Sequence, residues 1–389
     1  MLTVSKKICF VTTVSMTIDQ FIRFLFEPFH NDGYEVHIMA DMDEDYVKTL
    51  PPYVVAHPIK MGRGVHFGDF FKVISQMKKV FKKEKFEIVQ YSTPNASLYA
   101  SIAAKRCHVK TRLYCQWGLV YQGFTGLKRF IFRRIEKTVC RLSTDVQPDS
   151  LGNLELCRKE RFYGEKKSRV VWNGSANGVS LAKFNIDKKA EYRKAIREKY
   201  GIAEDAFVVG YLGRVGKEKG FDELMKMTEI LCKKYENLFL LYVGPNEKPD
   251  TVKKESLEYF ENCDRIIYTG GWVDDTERYY AAMDVFVFPT YREGFGSVSI
   301  EAEAMGVPVV GSDVPGPQNA IIDGETGYIL PAKTVEPWVE KISFLVENPD
   351  LCAKMGKAGH KFAAENFDDR VLIDKILENR NWLLERVKK

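Results

Sequence analysis

The stretch between residues 285 and 306 constrains the fold more than any other part of the sequence. It starts with an apolar run, Val-Phe-Val-Phe at 285–288, which is typical of a short buried strand. A turn with glycines at 294 and 296 follows, and we expect Ser297 to cap a helix that ends at Gly306. Because the free N–H groups of a helix start attract anions, the stretch predicts a strand, a turn and a helix that bind a negatively charged group.

Strands and helices alternate along the rest of the chain. Residues 8–12, 19–30 and 34–39 have the patterns of a strand, a helix and a strand, and a second such series starts at 207–212. Units of this kind form parallel sheets with right-handed crossovers. We therefore predict an α/β protein of two tandem, doubly wound, Rossmann-like domains facing a cleft, where ligands bind at the carboxyl ends of the strands. The predicted parts are an N-terminal, acceptor-binding domain at 1–172, a linker at 173–187, a nucleotide-binding domain at 188–368 and a last helix at 369–389.

The first loop after a strand argues against a nucleotide site in the N-terminal domain. Residues 13–16 are Thr-Val-Ser-Met, whereas a dinucleotide-binding turn needs glycines so that a pyrophosphate can approach the backbone. The loop at 213–220 has glycines at both ends and carries Arg214 and Lys219. Cations at the end of a strand can hold a diphosphate as it departs. The sequence thus predicts that the nucleotide binds the second domain.

Two carboxylates accompany the predicted anion site. Glu293 stands in the turn, and Glu301 lies inside the helix that follows. A solvent-facing Glu301 is the structural alternative, but a helix start lined by glycine and alanine favours a ligand contact. Our hypothesis is that a sugar nucleotide binds here, with its phosphates over the helix start and the two glutamates on its hydroxyls.

Composition indicates a cytoplasmic protein with one basic half. The 389 residues contain no run that approaches the ~20 apolar residues of a membrane-spanning helix, and no signal-peptide pattern. The eight cysteines form no CxxC pair, which indicates reduced thiols. Residues 1–175 hold 28 lysines and arginines against 17 acidic residues, whereas the remainder holds 30 against 36. The first half therefore suits an anionic surface or substrate.

Two basic amphipathic stretches in that half predict peripheral contact with an anionic membrane. The first runs from Lys72 to Lys85 and the second from Lys128 to Arg141. Such faces bind anionic headgroups, which would place the protein on the inner face of the cell membrane. The alternative is a pair of ordinary helices with solvated basic faces. No nucleic-acid-binding motif accompanies these residues, so we predict no nucleic-acid partner.

Three groups of residues form motifs at the ends of predicted strands. The groups are Gly213-Arg214…Lys219-Gly220, Glu293-Gly294-Phe295-Gly296 with Glu301 eight residues on, and Pro315-Gly316-Pro317…Asp323-Gly324…Gly327. These motifs resemble those of glycosyltransferase family 4, whose members are retaining enzymes of the GT-B fold. The resemblance covers essentially the whole chain and is most specific in the second half. The segment at 173–179 is also similar to members that build bacterial capsule, exopolysaccharide or lipopolysaccharide.

The resemblance implies a role for each candidate residue. Arg214 and Lys219 would contact the donor diphosphate, Glu301 the ribose hydroxyls and Glu293 the donor sugar. Arg214, Lys219 and Glu293 are thus the expected catalytic residues. The remaining donor-binding residues, which would line the sugar phosphate, are Gly294, Phe295, Gly296 and Ser297.

The resemblance also implies the reaction. The donor would be a nucleoside diphosphate sugar, UDP-linked. Its hexosyl or N-acetylhexosaminyl group would pass to a hydroxyl of a lipid-linked saccharide, with retention at the anomeric carbon. The two cations would replace a metal ion, so no metal and no cofactor are expected. The departing phosphate would take the acceptor proton, and the last helix would cross back to the N-terminal domain.

One position departs from the family pattern. Many members carry a histidine near the donor sugar where this chain has Trp117, and an indole can stack on a sugar but cannot share protons at neutral pH. We take Trp117 and Ser15 as candidates for contact with the acceptor or its sugar. Two alternatives stay open: a nucleoside diphosphate sugar epimerase of the same fold, and a sugar-nucleotide-binding subunit with impaired catalysis.

Overall fold

The computed structural model of the chain describes residues 6–62, 67–247 and 251–388. The chain divides into two compact units, one made of Met1–Asn177 with Arg370–Lys389 and the other of Gly178–Asp369. Each unit contains one six-stranded sheet, and the strands pair in parallel throughout the described residues. The predicted α/β class with two doubly wound sheets is therefore confirmed.

The sheet of the first unit has the order β3-β2-β1-β4-β5-β6. The direction of winding reverses between β1 and β4, and ligands of such sheets bind beside that reversal, at the carboxyl ends of the strands. Strand β4 is buried on both faces, as expected where helices cover both sides of a parallel sheet. The strands are β1 (Lys6–Val14), β2 (Tyr34–Asp41), β3 (Val54–Pro58), β4 (Ile88–Tyr91), β5 (Thr111–Gln116) and β6 (Asp145–Pro148).

Seven α-helices of the first unit lie before residue 178 in the described residues. The prediction of one continuous helix at 19–30 is wrong, because a short 3₁₀ turn at Arg23–Leu25 separates two α-helices. Pro28 explains the break, since it lacks an N–H and its ring would clash with the carbonyl four residues earlier; it lies in the first turn of the second helix. The helices are α1 (Ser15–Phe21), α2 (Phe26–Asn31), α3 (Glu44–Lys48), α4 (Phe67–Glu84), α5 (Pro94–Arg106), α6 (Gly126–Leu142) and α7 (Leu151–Lys159).

The second unit repeats the architecture with the order β12-β11-β10-β7-β8-β9. Its winding reverses between β7 and β10. The strands predicted at 207–212 and 285–288 are confirmed with those bounds. The strands are β7 (Phe207–Leu212), β8 (Leu238–Val243), β9 (Ile266–Tyr268), β10 (Val285–Phe288), β11 (Val309–Ser312) and β12 (Gly327–Leu330). The helices are α8 (Lys189–Tyr200), α9 (Phe221–Lys234), α10 (Lys254–Asn262), α11 (Thr276–Ala282), α12 (Ser297–Ala304), α13 (Glu336–Val346) and α14 (Pro349–Phe367).

The last helix, α15 (Asp369–Lys388), belongs to the first unit from Arg370 onward. Its Arg380 is fully buried and donates to Gln90 Oε1 of β4 at 2.8 and 3.1 Å and to Gln147 Oε1 of β6 at 2.6 Å. Arg386 makes a two-pronged ion pair with Asp145 at 2.6 and 2.8 Å. These contacts tie α15 to the sheet of the first unit, because a buried guanidinium needs acceptors for its donors.

Candidate active site

A pair of opposite charges joins two loops at the carboxyl edge of the second sheet. Lys219 lies between β7 and α9, and Glu293 lies between β10 and α12; β7 and β10 are neighbours in the sheet, so their loops meet. The Lys219 ammonium contacts Glu293 Oε1, and the buried Thr290 hydroxyl lies 3.2 Å from the same oxygen. The Tyr291 N–H donates to the Glu218 carbonyl at 2.9 Å. The structure therefore brings together the two loops that the motifs predicted.

The turn before α12 is shaped by glycine and by a buried phenyl ring. Gly296 has φ +87°, and a Cβ there would come within 3.0 Å of Phe288, so a larger residue would be both strained and crowded. Phe295 is buried and packs edge-on against Phe367 at 5.2 Å between ring centroids. Ser297 is the first residue of α12 and Gly296 is its N-cap, so the prediction that Ser297 caps the helix is wrong. Glycine takes that place because the chain enters the helix in a left-handed conformation.

Glu301 projects from α12 toward the preceding helix, α11. The Tyr280 hydroxyl donates to Glu301 Oε2 at 3.0 Å, and Tyr280 itself is fully buried. Burial raises the pKa of the Glu301 carboxyl above its usual range. A half-buried carboxylate with one oxygen already fixed by a tyrosine is well suited to accept further hydroxyl groups.

Glu303, two residues further along α12, has a different environment. Its side chain is fully buried, and burial raises the pKa of its carboxyl well above the usual range. Gly359 of α14 lies against it, and a Cβ on that glycine would approach Glu303 Cγ to 3.1 Å. Two glutamates on one helix thus differ in environment, since Glu303 lies inside the core whereas Glu301 is partly open.

Arg214 lies in the same loop as Lys219 but points to other partners. Its guanidinium donates to Glu247 at 3.0 Å and to Glu218 at 3.4 Å, and its side chain is 45% exposed. Ion pairs as exposed as these contribute roughly 0–1 kcal/mol to stability, so a more highly charged anion can displace the two carboxylates from Arg214. The structure therefore places Arg214 at the predicted sheet edge, paired with acidic residues rather than with Glu293.

Trp117 lines a cavity at the carboxyl edge of the first sheet. The cavity has a volume of about 220 Å³ and lies beside the reversal of winding, where β1, β4 and β5 end. The Trp117 indole packs against Phe21 of α1, with ring centroids 5.0 Å apart. Ser15 is the first residue of α1 and does not line the cavity, whereas Thr17 of the same helix does. The lining residues are Thr17, Phe21, Thr93, Pro94, Tyr114, Trp117, Gly118, Val120 and Glu136.

Glu136 of α6 is a functional candidate that the sequence interpretation missed. Its Oε1 accepts hydrogen bonds from the Tyr114 hydroxyl at 2.9 Å and from the Gln116 side-chain amide. Burial raises the pKa of this carboxyl to about 7, and the two hydrogen bonds oppose the shift. A signal was available, because Glu136 stands four residues before the buried Cys140, on the inward-facing stripe of a basic helix.

The acidic groups that resemble metal ligands have other partners. Asp43 of the Asp-x-Asp sequence at 41–43 caps α3 by accepting from the Tyr46 N–H at 2.8 Å. One group in the described residues has ligand spacing, and Lys7 already pairs with its two carboxylates at 2.9 and 3.3 Å. An ammonium group therefore neutralises the charge that a cation would need. The members of the group are Glu35, His37 and Glu84.

The start of α6 exposes apolar and basic side chains together. Leu127 is 74% exposed, Phe130 58% and Ile131 46%. Lys128 and Arg129 are also exposed between them. Within residues 6–62, 67–247 and 251–388, the helices lack the length and apolar character needed to cross a bilayer.

Both halves of the chain match family models. Residues 192–362 match the model described as glycosyl transferases group 1, and residues 7–150 match the model described as glycosyl transferase 4-like. These two ranges contain the strands and loops of both candidate sites.

Relatives and solved structures match along nearly the whole length. The capsular polysaccharide biosynthesis glycosyltransferase CapM of Staphylococcus aureus is 31% identical over 98% of both chains. The N,N'-diacetylbacillosaminyl-diphospho-undecaprenol alpha-1,3-N-acetylgalactosaminyltransferase of Campylobacter jejuni is 26% identical and covers 80% of this chain and 81% of its own. The fold matches HepE of Anabaena, solved in complex with UDP and glucose, with a TM-score of 0.79, 17% identity and coverage of 97% and 99%.

Proposed function

The chain belongs to the group 1 glycosyl transferases and has the GT-B fold, and from that premise we propose that it transfers a sugar from a nucleoside diphosphate sugar, UDP-linked, to a lipid-linked saccharide. The product would be part of a surface polysaccharide. The observation that carries this proposal is the meeting of Lys219 and Glu293 at the carboxyl edge of the second sheet, with Glu301 on the helix that follows.

The charge arrangement supports a diphosphate as the ligand. Lys219 and Arg214 present two cations from one loop, and both are held by carboxylates that a more highly charged anion can replace. The start of α12 adds backbone N–H groups, which stabilise negative charge at a helix N-terminus. The proposed assignment is diphosphate on Arg214 and Lys219, ribose on Glu301, and donor sugar on Glu293, with the turn from Gly294 to Ser297 along the sugar phosphate.

The proposed reaction retains the anomeric configuration. The bond between the anomeric carbon and the diphosphate oxygen breaks, and the acceptor hydroxyl attacks the same face of the sugar. The departing phosphate oxygen takes the hydroxyl proton, so no protein nucleophile is required. Lys219 and Arg214 stabilise the charge that develops on the leaving group, as preorganised cations do in other enzymes. This chemistry requires no metal ion.

The exposed start of α6 supports a lipid-linked acceptor. Apolar side chains at Leu127, Phe130 and Ile131 can enter the headgroup region while the neighbouring basic residues bind anionic lipid. The relatives named above include a capsular polysaccharide transferase and a transferase acting on a diphospho-undecaprenol derivative, and both are consistent with such an acceptor. We propose that the first unit binds the membrane surface through α6.

A thermal-shift screen of nucleoside diphosphate sugars tests the donor. A ligand that binds only the folded protein raises the melting temperature by mass action, so the true donor should raise it most at equal concentration. UDP-sugars should exceed GDP- and ADP-sugars, and Glu301→Ala should reduce the shift for all three, because the ribose is common to these nucleotides. A protein that none of these nucleotides stabilises would not be a transferase of this kind. Incubation of the donor alone separates transfer from epimerisation, since an epimerase converts the sugar without an acceptor.

A further inference from the structure

The cavity beside Trp117 has the composition of a sugar site. Trp117 and Phe21, whose rings pack together, supply an aromatic surface. Tyr114, Thr17 and Glu136 supply polar groups to the same cavity. Sugar rings combine apolar faces with hydroxyl edges, so they suit a site with a stacking surface and a few fixed polar groups. With a volume of about 220 Å³ the cavity is small, as a site for a single sugar ring requires.

The backbone at the cavity wall is held in an unfavourable conformation. Thr93, between β4 and α5, has φ +68° and ψ 146°, a region that β-branched residues rarely adopt. Its hydroxyl accepts from the Thr13 N–H at 3.0 Å and lies 2.8 Å from the Thr13 hydroxyl, which fixes it against β1. Strain of this kind persists where the surrounding structure holds it and is concentrated at binding sites.

A hydrogen-bond chain fixes the orientation of Glu136. The Tyr163 hydroxyl donates to Gln116 Oε1 at 2.8 Å, so the Gln116 amide turns its N–H₂ group toward Glu136. Tyr114 donates to the same oxygen, Oε1. Within the described residues, the hydrogen bonds found for Glu136 are made by Oε1. Because Glu136 lines the cavity, its Oε2 can accept a hydrogen bond from a ligand there.

We propose that Glu136 accepts a hydrogen bond from a hydroxyl of a sugar ring that stacks on Trp117 in this cavity, an inference that rests on the proposed function. The sugar is either the acceptor saccharide or the donor sugar, since both present the same ring chemistry. Glu136 then supplies at this edge a protonatable group that the indole of Trp117 cannot supply.

Ionisation of Glu136 should control this binding near neutral pH. The other titratable groups packed around it stay neutral there, because burial raises their pKa values: to about 12 for Cys157, and well above the usual range for Tyr114, Cys140 and Tyr163. Arg133, near Glu136 on α6, pairs at 2.7 Å with Glu160, which follows α7, so its charge is already neutralised. Glu136, with a pKa of about 7, therefore changes charge between pH 6 and pH 8.

The test measures binding to the full chain at pH 6 and pH 8. The probes are methyl glycosides of glucose, galactose and N-acetylglucosamine, and separately UDP-glucose, with tryptophan emission and saturation-transfer NMR as readouts. If the carboxylate is the binding form, the ionised fraction falls from about nine-tenths to about one-tenth, and Kd should rise about tenfold at pH 6. Glu136→Gln should bind as weakly at pH 8 as the wild type does at pH 6, with no pH dependence.

Three further variants make the result specific. Tyr114→Phe removes a hydrogen bond that stabilises the carboxylate, so the midpoint of the pH dependence should move to higher pH. Trp117→Phe should abolish the emission change while NMR still detects the sugar. Glu155→Gln, at an exposed position of α7 in the same unit, is the matched control and should behave as wild type.

The results identify the bound sugar. If Glu136→Gln weakens binding of a methyl glycoside, the cavity binds the acceptor saccharide. If it weakens binding of UDP-glucose, the cavity binds the donor sugar. Unchanged affinity and pH dependence in Glu136→Gln, or the absence of any Trp117 signal with every probe, would overturn the inference. The proposed function fails separately, if the nucleotide screen finds no stabilising donor.

Discussion

The Lys219 ammonium is paired with the Glu293 carboxylate across 74 positions of the sequence. The pair joins the loop after β7 to the loop after β10 at the place where the second sheet reverses its winding. Without a ligand each residue neutralises the other. With a donor diphosphate on Lys219 and a donor sugar on Glu293, both charges would be used at once.

Lys219→Ala and Glu293→Ala should each reduce transfer by at least about 10²-fold, because each removes a preorganised group next to the breaking bond. The double variant should lose little more than the worse single variant, since the two residues act on one ligand. Initial rates at saturating donor measure this, and circular dichroism checks the fold. Lys226→Ala is the control, because its exposed pair with Glu229 lies on the outer face of α9. Full activity in either single variant would refute the assignment.

Arg214→Ala should weaken donor binding without unfolding the protein. The side chain is 45% exposed and its present partners are acidic surface residues, so its loss should leave the melting temperature unchanged. Loss of a charged hydrogen bond to the diphosphate, at about 1.5–3 kcal/mol, predicts roughly a 10- to 100-fold higher KM for the donor. Arg214→Lys should recover only part of this, because lysine cannot bind two oxygens in a fork. An equal effect from Lys217→Ala, the exposed neighbour in the same loop, would show that general charge is responsible.

Glu301→Gln and Glu303→Gln should separate function from stability on one helix. Glu303 has a raised pKa in the folded state, so the folded protein keeps a proton that the unfolded chain releases above about pH 4.3. Stability therefore falls as pH rises from that value toward the folded pKa, and Glu303→Gln should remove this fall. We expect a melting temperature about 2–4 °C higher at pH 7 for each kcal/mol gained, with transfer retained.

Glu301→Gln should lose donor affinity, because an amide accepts the ribose hydroxyls less strongly than a carboxylate. Calorimetry with UDP measures this loss, and scanning calorimetry from pH 5 to pH 8 measures the stability of both variants. A Glu303→Gln variant with the pH dependence of the wild type, or a Glu301→Gln variant with unchanged UDP affinity, would contradict these roles.

Chelation should leave the transfer rate unchanged. The proposed reaction relies on Arg214 and Lys219 for charge stabilisation, so EDTA removes nothing that the leaving group needs. The measurement is the initial rate before and after dialysis against EDTA. A loss of rate that Mg²⁺ or Mn²⁺ restores would show that a metal takes part.

Leu127→Ser combined with Phe130→Ser should weaken binding to anionic vesicles. Full burial of each side chain is worth about 1.5–3 kcal/mol, so even half-burial of both predicts at least about a tenfold lower partition coefficient. Sedimentation measures binding to vesicles of phosphatidylcholine with and without phosphatidylglycerol at two salt concentrations. The comparison separates the apolar contribution to binding from the electrostatic one. Phe344→Ser is the control, because Phe344 is 42% exposed in the second unit. Equal binding by both variants would exclude α6 as the contact.

The second sheet could be predicted from the sequence because its strands are continuous apolar runs. Segments such as Val285–Phe288 are buried on both faces, and such burial requires apolar residues at every position. The first sheet was predicted less completely. Strand β6, Asp145–Pro148, was missed because its residues are mostly polar, and its burial depends on Arg386 of α15, which pairs with Asp145. That partner is 241 positions away, beyond the reach of any local pattern.

Val170 and Val171 show the converse. Their side chains have strand propensity, but within the described residues they pair with no strand, and the nearest bridge joins Ser168 to Val146. Propensity describes a side chain that suits a sheet, whereas a strand also needs a free edge.

The candidate site of the second unit was predicted more fully than that of the first. Gly296 and Gly220 both have positive φ, and a Cβ on Gly220 would also meet the backbone of Pro289. Their spacing with Lys219, Glu293 and Glu301 is therefore informative. Glu136 was missed because a glutamate among arginines looks like part of a solvated face. Only the packing of α6 against β5, together with the donors on Tyr114 and Gln116, distinguishes it.

The discontinuity of the first unit has a consequence for biosynthesis. Gln90 and Gln147 leave the ribosome long before Arg380, which fills the space between them, so the first unit cannot close while the second is being made. The second unit is continuous in sequence, and it can complete its own core first. An incomplete first unit would expose its apolar surface to chaperones throughout elongation, and a fragment that stops before α15 should aggregate rather than fold.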